Sequence, residues 1–396
     1  MTTTTLDINR AARLQQETKK GDSHLARKVF IVVVGLLLFG SLEVFSASRY
    51  QAVQLTGNMY YFGLLHLSFV VFSIGMLYVL PKISTSTWKT LSWIGYLLII
   101  GMLIAVYFFP SENGAHRWIP VAFGFTIQPS EFAKIATVLV GALLISRANW
   151  NSAKSVSHHL SQLFVVSLPM LCILALVLLQ PDLGNALIIA VSFVAMYLLS
   201  ENKFKTKAFF SIAVVGILFI AGAVLLEPYR FDRIVTHFNF LQTGVVEDEF
   251  GKGLQLRNIL IGVGSGGLWG KGIGGSQLKH GYFVEVTAFT DSISAVILEE
   301  LGFVLGAAFV GVYLYLFSLF VKIAEKQQTT YQRLLMWGIA IWFITQAVMH
   351  LGSNVAMIPV KGTTLPYISY GGSSLLALVF VTGIALRLAR HPAETA

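Results

Sequence analysis

Ten predominantly apolar stretches divide the chain, near residues 29–47, 60–80, 91–109, 131–146, 163–180, 183–200, 207–227, 295–321, 334–350 and 368–389. Each is close to the ~20 residues that an α-helix needs to cross the hydrocarbon core of a bilayer. The fourth is short, and only Pro181 and Asp182 separate the fifth from the sixth. The pattern predicts an all-α integral membrane protein of about ten transmembrane helices. Residues 1–28 are polar and read as a cytoplasmic tail, residues 29–390 as one transmembrane domain, and residues 391–396 as a second short tail. The first tail is long for the n-region of a signal peptide and further spans follow, so the first apolar stretch reads as an uncleaved helix.

Lys and Arg set the expected orientation. The N-terminal segment holds Arg10, Arg13, Lys19, Lys20, Arg27 and Lys28, and the segment between the sixth and seventh stretches holds Lys203, Lys205 and Lys207. Cytoplasmic loops carry such an excess. Both termini are therefore expected in the cytoplasm, which agrees with an even number of spans. The one long connection, residues 228–291, then lies outside, between the seventh and eighth helices. Connections of that length tend to be functional.

Composition narrows the class further. Of 396 residues, 55% are hydrophobic and only 12% charged, about half the charged share of an average soluble domain. The net charge of +9 fits cytoplasmic loops facing anionic lipid. No basic patch interleaved with aromatics points to nucleic acid. The lone cysteine, Cys172, rules out a disulfide framework and a multi-cysteine metal site, and its apolar surroundings predict core packing.

Chemistry gathers at the expected outer ends of the helices. Asp291 closes the long loop, as the N-cap of the next helix or as a general base that takes a proton from a substrate hydroxyl. In the segment Gln128-Pro129-Ser130-Glu131, Ser130 is placed to cap a helix. Glu131 and Lys134 share one face of that helix, either as a buried pair or as part of an anion site with Arg117 from the preceding loop. Glu43, within the first stretch, is costly there unless paired, and Arg49 is the candidate partner. Glu299 and Glu300 are expected to pair with basic groups inside the bundle, and His66 to be a satisfied packing residue. The glycines of 262–281 include a G-x-G-x-x-G spacing but no surrounding βαβ unit, so close backbone packing explains them better than nucleotide binding. Lys361, between Pro359 and Pro366, presents a cation to the outer face, and Gly371, Gly372, Ser373 and Ser374 open the last helix. Cations and a candidate base at one face suit a lipid-linked, phosphate-bearing substrate. They suit a transporter nearly as well.

These motifs together resemble the SEDS family (shape, elongation, division, sporulation). The resemblance is carried by Asn354–Ser374, with Pro359, Lys361-Gly362, Leu365-Pro366 and Ser369 to Ser374. It extends to Asn113-Gly114 to Trp118, Gln128-Pro129-Ser130-Glu131 to Lys134, Gln180-Pro181-Asp182-Leu183-Gly184, Thr290-Asp291 to Gly302, and Ser46-Ala47-Ser48. These segments occur in the family's order from about residue 34 to 388. The resemblance implies a ten-helix peptidoglycan glycosyltransferase of the cytoplasmic membrane. It would polymerise lipid II, the undecaprenyl-pyrophosphate-linked disaccharide-peptide, alongside a class B penicillin-binding protein and other divisome proteins. It implies Asp291 as the essential carboxylate and Lys134 as the lysine of its motif. Substrate contacts are expected from Arg117, Gln128, Ser130, Glu131, Lys134, Lys279, Glu285, Lys361 and Ser373. The run Lys361 to Pro366 is similar to the division and sporulation branch, with an elongation-type polymerase of the same family as the alternative. The sequence departs from the family pattern at Thr287, where a Glu is expected, so Glu285 is the nearest carboxylate. No ligand cluster calls for a metal, although a divalent cation is compatible with a pyrophosphate leaving group. A lipid II flippase and a non-catalytic scaffold are the competing classes.

Overall fold

The computed structural model describes residues 23–111, 115–121, 125–152, 155–200, 228–246, 253–280, 287–359 and 362–392. Among these, eight helices are long and apolar enough to cross a membrane, with one shorter apolar helix. In chain order the helices are α1 (Ser23–Thr56), α2 (Tyr61–Val79), α3 (Thr85–Ala105), α4 (Pro129–Arg147), α5 (Val156–Leu179), α6 (Leu183–Leu199), α7 (Pro228–Thr243), α8 (Leu254–Ser265), α9 (Ile293–Glu325), α10 (Thr330–Asn354) and α11 (Gly372–Arg390). They occupy every predicted span except 207–227, which lies outside the described residues. The protein is a multi-pass membrane protein. Two short strands, β1 (Ile119–Pro120) and β2 (Thr126–Ile127), pair antiparallel before α4. Helix α1 starts at Ser23, so the last residues of the expected tail are already helical, and α1 packs on α2, α9 and α11 as part of the bundle.

Helix α4 is the centre of the bundle, buried along nearly its whole length and in contact with α3, α6, α10 and α11. Small residues permit this. A methyl group on Gly141 would meet Met196 and Phe193 of α6, and one on Gly338 of α10 would meet Met196 and Val138. Without a hydrophobic driving force between helices in lipid, such close contact supplies the dispersion energy of association. At the other side of the core, Gly40 of α1 lies against the chain entering α11. An added Cβ would sit 2.7 Å from Ile368 Cα and 3.0 Å from the Tyr367 oxygen. Backbone atoms cannot move aside as a side chain can. Gly40→Ala is therefore expected to cost about 1–3 kcal/mol through overpacking. Gly35→Ala, on the same helix with nothing within 4 Å, is expected to cost nothing. Thermal unfolding in detergent compares the two, and equal melting temperatures would refute the close approach.

Helix α9 is broken at Gly302, where φ is 70°. The glycine-rich segment after α8 fills the break. Lys271 N donates to Glu299 O (3.1 Å), Gly272 N to Glu300 O (3.0 Å), Phe303 N to Gly267 O (2.9 Å) and Val304 N to Leu268 O (3.2 Å). The backbone groups freed by the kink are thus satisfied by another chain segment, as burial requires. The expected role of these glycines as close-packing residues is what the structure contains. The long loop carries α7, α8 and this packed segment.

Several local expectations are corrected. Cys172 lies on an exposed face of α5 rather than in the core. The Glu43 carboxylate has no hydrogen-bond partner among the described residues, and Arg49 is not its counter-ion: that guanidinium stacks over Phe45, 5.4 Å from the ring centroid. His66 is buried and packed near Tyr370, but neither ring nitrogen has a hydrogen-bond partner among the described residues.

Candidate active site

The N-termini of α4, α6, α9 and α11 meet the C-terminal end of α10 at one end of the bundle, and most of the predicted site residues are there. Asp291 lies in the turn 287–292, closed by Ser292 N to Thr287 O (2.9 Å) and Thr290 N to Thr287 O (3.0 Å). The N-cap of α9 is Ser292, not Asp291. The turn extends one residue beyond Asp291, so the capping position falls on its neighbour. The half-buried Asp291 carboxylate faces Gly362, where an added Cβ would lie 3.0 Å from Oδ2. Asn354 Nδ2 donates to the Asp291 main-chain oxygen at 2.9 Å. Ser369 Oγ donates to Thr290 O (2.8 Å) and accepts from Leu365 N (2.7 Å), and Tyr370 N donates to Phe289 O (2.9 Å). The turn that carries Asp291 is thereby stapled to the segment leading into α11.

A second carboxylate organises the neighbouring helix starts. Asp182 caps α6, its Oδ1 accepting from Asn185 N at 3.2 Å. Its Oδ2 accepts from Ser130 Oγ (2.7 Å), Gln128 Nε2 (3.0 Å) and Asn185 Nδ2 (2.9 Å). Ser130 is therefore not the cap of α4. Gln128 holds that position without a side-chain cap and Pro129 opens the helix, freeing the Ser130 hydroxyl to reach Asp182. Gln128 N also donates to Ser373 Oγ at 3.0 Å, which ties α4 to α11. Arg117 places its guanidinium on the main chain just before α6, donating from Nε to Gln180 O (3.0 Å) and from an Nη to Pro181 O (2.7 Å). A Cβ on Gly184 would meet the Thr363 methyl at 2.9 Å, so the start of α6 abuts the same segment that faces Asp291.

Lys134 sits one turn beneath, 1% exposed. Its Nζ lies 2.7 Å from Glu131 Oε2 and donates to Gln346 Oε1 at 3.1 Å. It also stands over the Trp342 ring, 5.2 Å from the centroid. Gln346 Nε2 donates onward to Thr364 O (3.1 Å), Thr364 Oγ1 (3.0 Å) and Ser374 Oγ (3.1 Å). The expected Glu131–Lys134 pair is present, and through Gln346 it reaches both ends of the segment that faces Asp291.

Lys279 lies apart from this group. It pairs with Glu300 and donates to Ser46 Oγ at 2.6 Å, while Lys271 pairs with Glu299 at 2.6 Å. Both glutamates of α9 thus find the basic partners expected of them. Lys361 and Glu285 lie outside the described residues. Asp182, Asn185, Gln346 and Thr364 are site residues that the sequence reading does not assign, and Ser374 enters it only as a residue opening the last helix. Gln346 carries a signal, as a polar residue in an apolar span, and Asp182 lies within the Gln180–Gly184 motif. Among the described residues no group of three or more His, Cys, Asp or Glu side chains is gathered to hold a metal.

The family model FTSW_RODA_SPOVE, described as cell cycle protein, matches residues 27–394. The chain belongs to the FtsW/RodA/SpoVE family. A family member from Shewanella sediminis, named probable peptidoglycan glycosyltransferase FtsW, is 35% identical over 91% of this chain and 86% of its own. One of the same name from Coxiella burnetii is 32% identical over 91% of this chain and 95% of its own. Among solved structures, a chain reported under "Structural coordination of polymerization and crosslinking by a peptidoglycan synthase complex" superposes with a TM-score of 0.72 at 22% identity. It covers 93% of this chain and 98% of its own. The crystal structure of the rod shape determining protein RodA of Thermus thermophilus gives 0.59 at 21% identity, over 93% and 97%. The FtsW/RodA/SpoVE chain traced here thus shares its helical fold with both.

Proposed function

We propose that this family member is a peptidoglycan glycosyltransferase that polymerises lipid II, in the division role of its FtsW-named relatives. The observation that carries the reading is the Asp291 carboxylate, fixed by its main chain to Asn354 and facing Gly362 where four helix N-termini converge. In this reading Asp291 takes the proton of the acceptor 4-hydroxyl on N-acetylglucosamine. That oxygen forms a bond to the anomeric carbon of the donor N-acetylmuramic acid. The bond to undecaprenyl pyrophosphate breaks, with inversion, and the pyrophosphate departs with the electron pair. The converging helix N-termini favour the developing anion. Lys361, next in sequence to Gly362, supplies the cation of the leaving-group site. Lys134 and Arg117, already engaged with protein groups, act as positioning residues that hold the 362–374 segment and the start of α6. A divalent cation, if one takes part, serves the pyrophosphate.

The Lys and Arg bias supports a cytoplasmic-membrane protein with both termini inside and the Asp291 end outside. There the partner is a class B penicillin-binding protein within the divisome. The deciding experiment reconstitutes the protein with such a partner, its transpeptidase blocked, and supplies lipid II. Glycan polymer is expected. Translocation of labelled lipid II across liposomes without polymer would put the flippase reading first, and neither product would leave the scaffold reading.

A further inference from the structure

A cavity of about 380 Å³ opens between α1 and the segment that follows α8, and none of the residues at the Asp291 end lines it. Its walls are amphipathic: Leu42, Phe45 and Ile273 are apolar, and Ser46, Arg49 and Lys279 are polar. Lys279 is committed there to Glu300 and Ser46. Arg49 differs. Its guanidinium is posed on Phe45 at 5.4 Å, with no carboxylate in ion-pair distance among the described residues. Glu43, on the same helix, is fully buried and does not line the cavity.

The face of α1 below this cation is bare. Ile31 is 56% exposed, Leu38 54% and Leu42 49%. Their spacings of seven and four, with Arg49 seven further on, place them along one side of the helix. In a chain that spans the bilayer these side chains meet lipid. Leu38 and Arg49 are separated by ~17 Å along the axis at 1.5 Å per residue, comparable to an extended acyl chain.

We propose that this cavity binds an anionic phospholipid of the surrounding bilayer, its phosphate on Arg49 and one acyl chain along Leu42 and Leu38. Arginine presents a planar fork that matches phosphate, and stacking on Phe45 holds the fork in place. The cavity of about 380 Å³, roughly a dozen water volumes at ~30 Å³ each, accommodates a phosphoglycerol head group. The bound lipid would join α1 to the 273–279 segment, whose Gly274 and Lys279 both hold Glu300 of α9.

Titration of the full-length protein in detergent with phosphatidylglycerol or phosphatidylcholine tests this, with retained lipid counted by native mass spectrometry. Wild type is expected to retain phosphatidylglycerol selectively. Arg49→Gln is expected to bind it roughly tenfold or more weakly, since a charged hydrogen-bonded contact is lost. Leu42→Trp keeps the charge and fills the cavity, and should lose the lipid as well; it carries the test should Arg49→Gln not fold. Lys89→Gln, a cation posed over Tyr331 on another helix, should bind as wild type does. Equal retention of both lipids, or wild-type binding by both cavity variants, overturns the proposal. Displacement of phosphatidylglycerol by equimolar lipid II reassigns the site to substrate and overturns it too. The readout is binding, so it stands whatever becomes of the glycosyltransferase reading.

Discussion

Asp291→Asn is expected to leave a folded protein whose rate of lipid II polymerisation falls by about 10²–10⁴-fold, the usual contribution of a general base. The substitution is close to isosteric. The main-chain oxygen that Asn354 holds at 2.9 Å is untouched, and so are the Ser369 and Tyr370 contacts that staple the turn to the next segment. Capping is not lost, because Ser292 rather than Asp291 holds the N-cap of α9. An unchanged melting temperature with lost polymer would therefore isolate proton transfer. Wild-type polymer formation by the variant would remove Asp291 from the mechanism, and a large drop in melting temperature would make it a structural residue. Gly362→Ala approaches the same atom from the other side. Its methyl would stand 3.0 Å from Asp291 Oδ2, so a loss of rate with Asp291 intact would show that the carboxylate needs its present position.

The bilayer made most of the fold legible. A helix crossing it must be apolar over about 20 residues, and that constraint imprints the spans on the chain without reference to their neighbours. Part of the site was legible for a related reason: Glu131 and Lys134 are charged groups inside an apolar stretch, where charge is expensive, while Asp291 and Arg117 stand out only as charges in the outer connections that lead into helices. What could not be read was which residue each polar group would choose. Ser130 looks like a cap in its own helix, but in the fold it is 2.7 Å from Asp182, a partner 52 positions away. Arg49 and Glu43 are close in sequence and on one helix, yet 43 is buried and 49 points its cation over Phe45. Cys172 sits in a uniformly apolar run, which gives no phase to tell the core side from the lipid side. Lys134 reads as a cation awaiting an anion until Gln346 and Trp342, more than 200 residues on, close around it.

That enclosure leads to the second large effect. Lys134→Met is expected to cost about 3–5 kcal/mol of stability, because it strands a buried carboxylate without its counter-charge. Glu131 is only 5% exposed and its close charged contact is the Lys134 Nζ at 2.7 Å. The Gln346 oxygen would keep the Trp342 indole donor at 2.8 Å but lose Lys134. Removing both charges is a different experiment. Glu131→Gln with Lys134→Met replaces the pair by neutral groups of similar size, and such replacements are often neutral or stabilising. The double variant should therefore regain most of the lost melting temperature. Its activity then decides what the pair is for. If Lys134 only holds α4 to α10, the stable double variant polymerises lipid II like wild type. If the Lys134–Gln346–Thr364 chain positions the segment facing Asp291, as the hydrogen bonds imply, polymerisation stays low although the fold has recovered. Lys134→Arg distinguishes positioning from charge alone. It keeps the cation but presents a planar fork in place of the single Nζ shared by Glu131 and Gln346, so stability kept without the rate would tie the function to that hydrogen-bonded chain.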